Sequence, residues 1–192
     1  MSAMHEAAHV CTQTEVVWTW ARFDALAPAD VYDFLALRSE VFVVEQGCPF
    51  LDADGLDPFA WHLLGRAREF APAGASVPKL LAYLRLLDPG VKYREPSIGR
   101  VITRASQRGT GLGRVLMREG LARAASVWPG RVIRISAQQR LEAFYASLGF
   151  ASVGAPYVED GIDHIEMLRA AHDSTSARNS QRSSIHLERI TS

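Results

Sequence analysis

The sequence predicts an α/β fold in which a mixed sheet is covered by helices on both faces. Two observations predict it: strand-like segments occur in pairs near both ends of the chain, and a strand–helix–strand–helix run lies between them. With 192 residues, of which 48% are hydrophobic and 22% charged, the chain has the size and composition of one globular domain. We therefore expect a single domain with a folded core.

The first segments predict a strand followed by a helix. Apolar residues alternate over 15–20, which is typical of a strand. Pro28 can begin a helix, because proline is tolerated in the first turn, and Val31, Phe34 and Leu35 would then share one helical face. The helix is predicted to end before the loop that follows it.

A strand pair is predicted next. The stretch 49–58 is rich in Asp, Gly and Pro and is therefore expected to be a loop. It leads into the apolar segments 61–68 and 80–87, which we expect to pair as antiparallel strands. The residues between them, 70–78, are rich in Ala, Pro and Gly, as in a pliable hairpin tip.

The second half of the chain predicts alternating strands and helices. Residues 97–103 are typical of a strand, and a glycine-rich turn then leads into a helix that Pro129-Gly130 would end. The remaining predicted elements are a strand at 132–135, a helix at 141–148, and a strand pair at 151–158 and 163–168.

The limits of the domain follow from these segments. We expect residues 15–171 to form the folded domain and residues 1–14 to be a flexible N-terminal segment, because the latter show no apolar period. Residues 172–192 are rich in Ser and Arg and are predicted to be a mobile tail.

Composition disfavours several classes of function. The 21 basic residues balance 21 acidic ones, so no overall field attracts nucleic acid or an anionic membrane surface. The two cysteines, Cys11 and Cys48, form neither a disulfide framework nor a metal motif, which favours a reducing cytoplasm. No metal is expected, because the loop with Asp52, Asp54 and Asp57 lacks the other ligands of a calcium site. These aspartates are expected to form turns, with capping or selection of the acceptor as alternatives.

The segment 108–113, Arg-Gly-Thr-Gly-Leu-Gly, carries the clearest chemical signal. It follows a predicted strand and enters a predicted helix, so backbone amides and a helix N-terminus converge on one point, as in an anion site. Arg104, Arg108 and Arg114 add positive charge nearby, which favours a pyrophosphate. The alternative is that the glycines serve only the turn and close helix packing. The pattern lacks the Gly-Lys-Ser/Thr ending of a P-loop and does not open a long parallel sheet.

These residues carry a family resemblance. The motif Arg108-x-x-Gly111-x-Gly113 resembles the pyrophosphate loop of the GCN5-related N-acetyltransferase (GNAT) superfamily, and Phe144-Tyr-Ala-Ser-Leu-Gly-Phe150 resembles its second signature helix. The likeness is greatest to the ElaA-type subgroup and covers about 15–170. The segments that resemble this subgroup are Leu37–Pro49, Asp52-x-Asp54, Ile98–Ile102 and Asp160–Ile165.

The resemblance implies a mostly antiparallel, twisted sheet with one splayed pair of parallel strands. It also implies acetyl-coenzyme A as co-substrate, with the pantetheine arm lying between the splayed strands like an added strand. The residues it assigns to the coenzyme are Val101, Ile102 and Thr103 on the strand, Arg108, Gly109, Thr110, Gly111, Leu112, Gly113 and Arg114 in the loop, and Gln138 after the next strand.

The reaction implied is transfer of the acetyl group to an amine by direct attack on the thioester. Such a transfer needs a base for the ammonium and an acid for the departing thiolate. In the family pattern Tyr145 is the acid, while Glu45 and His164 are candidate bases or amine anchors; each has an ordinary structural alternative. Residues expected to shape the acceptor pocket are Arg38, Gln46 and His62, with Arg38 alternatively a structural ion-pair partner.

Two other functions remain open from the sequence. The Arg38-x-x-Val41-Phe42 segment also resembles acyl-homoserine lactone synthases, although their glycine loop is not of this form. A binding module that holds acetyl-coenzyme A without turnover is the second alternative, because no base is unambiguous. The acceptor is expected to be a small-molecule or peptide amine, and the protein a monomer or homodimer.

Overall fold

The computed structural model describes residues 15–68 and 78–171, which form one seven-stranded sheet with helices. The expected flexible segments 1–14 and 172–192, and most of the predicted hairpin tip, lie outside the described residues. The strands are β1 (Val16–Arg22), β2 (Ala60–Ala67), β3 (Leu80–Leu87), β4 (Ser97–Thr103), β5 (Ile133–Gln138), β6 (Phe150–Glu159) and β7 (Ile162–Arg169). The helices are α1 (Pro28–Arg38), α2 (Leu112–Val127) and α3 (Glu142–Ala146), with a π-helical segment at Ser39–Glu45.

The strand order is β1-β2-β3-β4-β5-β7-β6. Every neighbouring pair is antiparallel except β4 and β5, which are parallel and share a single register pair, Ser97 with Arg134. The two strands separate beyond that pair. The predicted fold class is therefore confirmed: a mixed, mostly antiparallel sheet with one splayed parallel pair.

Helix α1 covers one face of the sheet and begins at Pro28, as predicted. Phe34 and Leu37 are fully buried against Leu64 and Tyr83 of the sheet. The chain continues directly into the π-helical segment, whose wider turn was not predicted. This segment brings Glu40 and Glu45, and Gln46 directly after it, towards the end of the splayed strands.

Helices α2 and α3 pack in the larger apolar cluster, with other residues of the sheet. Leu116 and Met117 of α2 are fully buried, and Gly120 allows a close approach: a Cβ there would lie 2.7 Å from a methyl carbon of Leu84. Helix α3 is shorter than the predicted 141–148: Leu141 belongs to a preceding 3₁₀ turn, and the α-helix ends at Ala146, where a turn begins. Tyr145 of α3 lies in the same cluster.

Within 15–68 and 78–171, no helix is both long and apolar enough to cross a membrane.

Gly65 of β2 pairs with Trp18 of β1, and the indole ring lies against it. A Cβ on Gly65 would lie 2.6 Å from Trp18 Cζ3. We expect Gly65→Ala to lower the free energy of unfolding by about 1–3 kcal/mol, because a rigid ring must move. Gly99→Ala is the control: no described atom lies within 4 Å of its added Cβ, so a change below about 0.5 kcal/mol is expected. Urea unfolding followed by circular dichroism measures both, and equal midpoints would contradict this packing.

Candidate functional site

A glycine-rich turn leads from β4 into helix α2. Gly109 and Gly111 have φ angles of +78° and +88°, in the region that favours glycine, and Gly111 caps the helix N-terminus. No described atom lies within 4 Å of a Cβ built on either residue, so the outer side of the turn is open. The first amides of a helix have no intrahelical acceptor, so this open surface suits an anion such as a pyrophosphate.

The arginines beside this turn differ in their partners. Arg104 donates to Glu40 at 2.6 Å, and Arg108 donates to Glu45 at 2.5 Å; both carboxylates belong to the π-helical segment. Arg114 donates to a serine hydroxyl at 2.9 Å. Two of the three charges expected to favour a phosphate are therefore paired with carboxylates. The predicted base, Glu45, is itself held by a predicted phosphate-binding residue.

Beyond its single contact with β5, strand β4 is paired on one side only, with β3. Ile102 and Thr103 pair with β3, whereas the parallel pairing stops at Ser97 and Arg134. The predicted pantetheine residues Val101, Ile102 and Thr103 therefore lie on a strand whose other backbone edge is unpaired within 15–68 and 78–171. An extended chain could add to that edge like a further strand.

A β-bulge distorts β4 at the same place. Between the residues paired with Tyr83 and Arg85, β4 contains one more residue than β3. Arg100 there has a φ angle of +53°, which is unusual for a residue with a side chain. The guanidinium of Arg100 forms an ion pair with Asp52 at 2.8 Å. The bulge therefore links the strand to the loop that faces it.

A cavity of about 580 Å³ lies where β4 and β5 separate. Its walls come from these two strands, the β6–β7 hairpin, the β3–β4 connection and the loop after the π-helical segment. Of the predicted residues, Gln46, Gln138 and His164 line it. Phe50 and Leu51 form an apolar part of the rim and are 53% and 84% exposed. The cavity can therefore accept a molecule with both polar and apolar parts.

Two predicted residues that are distant in sequence meet at this cavity. Gln138 Nε2 donates to Gln46 Oε1 at 3.0 Å, and the side-chain oxygen Oε1 of Gln138 accepts from Arg140 at 2.8 Å. This contact joins the end of β5 to the end of the π-helical segment, so the glutamines connect the two sides of the opening.

Three arginines and three aspartates form an ion-pair network at one end of the cavity. The sequence indicated turns, caps or selection of the acceptor for the aspartates, and an ion-pair alternative for one arginine. Each aspartate contacts two of the arginines, so the charges balance within the network. Its members are Arg38, Arg85, Arg100, Asp52, Asp54 and Asp57.

The centre of the network is buried. Arg38 is fully buried and contacts Asp52 at 2.6 Å and Asp57 at 2.7 Å. Arg85 contacts Asp54 at 2.6 Å and Asp57 at 2.8 Å. Burial opposes ionisation of Asp54, but hydrogen bonds and the charge of the arginines outweigh it, so its pKa lies well below the ordinary value. Asp54 also accepts the Leu56 amide at 3.1 Å, which is the turn role expected of it.

His62 is packed beneath this network rather than in the cavity. It is fully buried; Nδ1 lies 2.8 Å from the Tyr83 hydroxyl and Nε2 lies 3.0 Å from the Asp57 carbonyl oxygen. Burial lowers the pKa of His62, which favours the neutral ring. Neither His62 nor Arg38 lines the cavity, so their positions do not support the predicted contact with substrate.

Tyr145 lies in the apolar cluster behind β5. Its ring packs edge-on against Phe144 and Phe150. Burial raises the pKa of Tyr145 to about 12, so the phenol stays protonated. Its hydroxyl has no hydrogen-bond partner among the described residues, and it is therefore free to donate to a ligand.

The cavity also reaches a polar cluster that sequence reasoning missed. Tyr157 donates to Glu166 Oε1 at 2.8 Å, Tyr93 donates to the same oxygen at 3.0 Å, and Ser136 Oγ lies 2.6 Å from the Tyr157 hydroxyl. Burial is the main cause that raises the pKa of Tyr157 to about 12. His164 stacks on Tyr157, with ring centroids 6.1 Å apart. Polar residues alternate with apolar ones along β5 and β7. The pairing of these two strands is the signal that could have predicted that their polar residues meet.

Comparison with known proteins identifies relatives over most of the chain. A family model for the GNAT acetyltransferase domain matches residues 85–170. A UPF0039 protein of Synechocystis is 45% identical over 154 residues, which are 80% of this chain and 95% of that protein. Protein ElaA of Escherichia coli K12 is 38% identical over 154 residues, 80% of this chain and 96% of ElaA.

A solved structure agrees with these matches. The crystal structure of an acyl-CoA N-acyltransferase from Pseudomonas aeruginosa is similar with a TM-score of 0.72 and 41% sequence identity. The similarity covers 81% of this chain and 100% of that one.

The ion-pair network gives a stability prediction. Arg38→Met leaves Asp52 and Asp57 each with one buried cationic partner fewer, and we expect a loss of about 3–5 kcal/mol in the free energy of unfolding. The value should fall at the lower end, because Arg85 and Arg100 remain. Arg68→Met is the control, since Arg68 pairs with Glu15 where the two side chains are 49% and 57% exposed; a loss below about 1 kcal/mol is expected. Similar losses in urea unfolding would show that the buried network has no special weight.

Proposed function

The chain belongs to the GNAT acetyltransferase family, together with ElaA and UPF0039 proteins, and from this we propose that it transfers the acetyl group of acetyl-coenzyme A to an amine. That it is an acyltransferase follows from the family and from its solved structural neighbours. One observation carries the finer proposal. The unpaired edge of β4 leads to the open glycine turn on one side and to the cavity on the other.

The described residues fit the coenzyme. We propose that the backbone of Val101, Ile102 and Thr103 receives the pantetheine arm and that Gln138 lies beside it. The pyrophosphate would contact the amides of the open turn, where Cβ atoms are absent at Gly109 and Gly111. The proposed loop residues are Arg108, Gly109, Thr110, Gly111, Leu112, Gly113 and Arg114.

Arg108 has a second partner to leave before it can bind a phosphate. Its guanidinium is half exposed and bound to Glu45. A pyrophosphate carries more negative charge than one carboxylate, so we propose that the coenzyme takes Arg108 from Glu45. Glu45 would then be free as an amine anchor or base, the role predicted for it.

Tyr145 is proposed to protonate the departing thiolate. The amine nitrogen attacks the thioester carbon, the C–N bond forms, the C–S bond breaks, and the phenol donates its proton to the sulfur. The new amide nitrogen then releases its surplus proton to solvent, from which the phenolate of Tyr145 is reprotonated. A phenol with a pKa of about 12 is a weak acid, but burial raises the pKa of a thiol as well. The apolar surroundings of Tyr145 therefore shift the pKa values of the phenol and the thiol in the same direction, and the proton transfer follows the breaking of the C–S bond.

The amine acceptor is proposed to bind in the cavity. Gln46 and His164 line it and would contact the acceptor, whereas Arg38 and His62 would act only by holding the loop and strands that form the wall. Four expectations stay predictions. They are the class of amine, a cytoplasmic location, the absence of nucleic-acid, membrane and metal partners, and the monomeric or dimeric state.

The glycine turn gives a binding prediction. Gly111→Asp places a carboxylate where the pyrophosphate is proposed to bind, and we expect the affinity for acetyl-coenzyme A to fall about tenfold or more. Gly130→Asp is the matched control, because Gly130 also has a positive φ, +72°, and open surroundings, but lies beyond the other end of α2.

Calorimetric titration of the unaltered protein and both variants measures the affinity for acetyl-coenzyme A. Dephospho-coenzyme A and NADH are titrated in the same way for comparison. If the two substitutions lowered the affinity for acetyl-coenzyme A equally, the glycine turn would not be the pyrophosphate site. If the unaltered protein bound no acetyl-coenzyme A, the proposed function would be wrong.

Tyr145→Phe tests the acid. We expect kcat to fall by about 10²-fold, with the KM for acetyl-coenzyme A unchanged, because only the proton donor is lost. Thiol release from acetyl-coenzyme A is measured with spermidine, glucosamine and a peptide with a free N-terminus as acceptors. Tyr32→Phe, on the outer side of α1 and 74% exposed, should leave kcat unchanged. An unaltered kcat in Tyr145→Phe would remove Tyr145 from the mechanism.

A further inference from the structure

Strand β5 presents a hydroxyl group to the cavity just beyond the last contact between β4 and β5. Alternate β5 residues face opposite sides of the sheet: Ile135 and Ala137 are buried in the apolar cluster, whereas Ser136 and Gln138 line the cavity. Arg134, two residues earlier, is the last residue paired with β4. Ser136 therefore lies at the start of the opening between the splayed strands.

The hydrogen bonds from Ser136 have a defined direction. A carboxylate can only accept, so the single proton of Tyr157 is committed to Glu166 Oε1, 2.8 Å away. The Ser136 hydroxyl lies 2.6 Å from the Tyr157 oxygen and must then be the donor in that contact. Its contact with Glu159 is longer, at 3.4 Å. The lone pairs of Ser136 Oγ remain available to accept an N–H from a molecule in the cavity.

The chain of hydrogen bonds ends at the carboxylate of Glu166, which is held in place from several sides. Glu166 receives Tyr157 and Tyr93 on one oxygen, and Arg134 Nη1 lies 3.3 Å from the other. Glu166 is on β7, Tyr157 on β6 and Arg134 on β5, so three adjacent strands fix its position. The other charged or titratable groups that face the cluster are Glu95 on Arg134, Glu159 and its partner Lys92, and His164 on Tyr157.

We propose that Ser136, Tyr157 and Glu166 form a relay that takes the proton from the acceptor ammonium. This relay rests on the proposed function. The ammonium gives a proton to Ser136 Oγ as the serine proton passes to Tyr157 and the phenol proton passes to Glu166. The products are a neutral amine and a protonated Glu166, and neither hydroxyl gains a net charge. The neutral nitrogen then attacks the thioester, and Glu166 returns its proton to solvent.

Burial and the hydrogen bond to Glu166 raise the pKa values of Tyr157 and Tyr93. A phenol that passes on one proton while receiving another need never ionise, so a high pKa is no obstacle for Tyr157. The relay supplies the base, and Glu45, which Arg108 holds until the coenzyme binds, is left as the amine anchor. Ser136 is the residue that contacts the ammonium, Glu166 is the final proton acceptor, and Tyr93 and Arg134 position Glu166.

The experiment is a pH profile of thiol release for Ser136→Ala, Tyr157→Phe and Glu166→Gln. The probe is whichever of spermidine, glucosamine and the free-N-terminus peptide the unaltered protein uses fastest. At pH 7 we expect each variant to lose about 10²-fold in kcat, with the KM for acetyl-coenzyme A unchanged. The loss should shrink as the pH approaches the pKa of the amine, about 10.4 for a lysine-like ammonium, because the neutral amine then needs no base.

A control variant separates the relay from structure. Ser152→Ala removes an exposed hydroxyl of β6 and should keep the unaltered pH profile. Ser136→Ala and Tyr157→Phe leave the Arg134–Glu166 pair in place, and their affinity for acetyl-coenzyme A, measured by calorimetry, reports correct folding.

The outcomes are distinct. A loss in the three relay variants that high pH restores supports the relay. Unchanged profiles in those variants, or a pH-restored loss in Glu45→Gln or His164→Asn in their place, overturn it while leaving the transferase intact. Failure of the unaltered protein to bind acetyl-coenzyme A, or to release thiol with any of the probes, overturns the proposed function and the relay together.

Discussion

The separation of two parallel strands is the constraint on which the site depends. Strands β4 and β5 share one register pair and then diverge, although each remains paired on its other side. Divergence leaves backbone amides and carbonyls of β4 without a strand partner, and unpaired backbone groups are costly unless water or a ligand satisfies them. The gap therefore leaves an unpaired edge to which the coenzyme is proposed to bind, and at the same time it opens the cavity between the two strands.

The ion-pair network keeps that gap from being closed by the loop beside it. The loop 46–56 is rich in turn residues and has little apolar burial of its own, yet it forms one wall of the cavity. Arg38 and Arg85, both buried, attach its aspartates to α1 and β3, while Arg100 attaches them to the bulge in β4. Because buried pairs are geometrically demanding, such a network fixes position more than it adds stability.

The order and type of elements could be predicted from the sequence, because each segment shows its own period or turn residues. The strand 97–103 and the turn Gly109 to Gly113 were identified directly, and Gly111 does require a left-handed conformation. The bulge at Arg100 could not be predicted: nothing local to an arginine indicates a positive φ, and the ion pairs that hold it come from a distant loop.

The site was predictable only where it resembles a linear motif. The glycine turn and Tyr145 lie in contiguous signatures, whereas the relay is assembled from β5, β6 and β7 by strand register. Ser136 pairs with Glu166 across β5 and β7, and Tyr157 pairs with His164 across β6 and β7. A one-residue error in either register would move each of these side chains to the opposite face of the sheet, so only the assembled sheet shows them together.

The two proposed proton-transfer groups occupy opposite faces of β5, and this arrangement has a chemical reason. Tyr145 shares the apolar cluster with Ile135 and Ala137, whereas Ser136 opens to the cavity. An acid and a base in direct contact would exchange a proton with each other rather than with substrate. The strand keeps them apart, so the ammonium can lose its proton on the polar face while the thiolate gains one on the apolar face. The alternation of side chains along one strand would thus supply the direction of proton flow that the proposed amine acetylation needs.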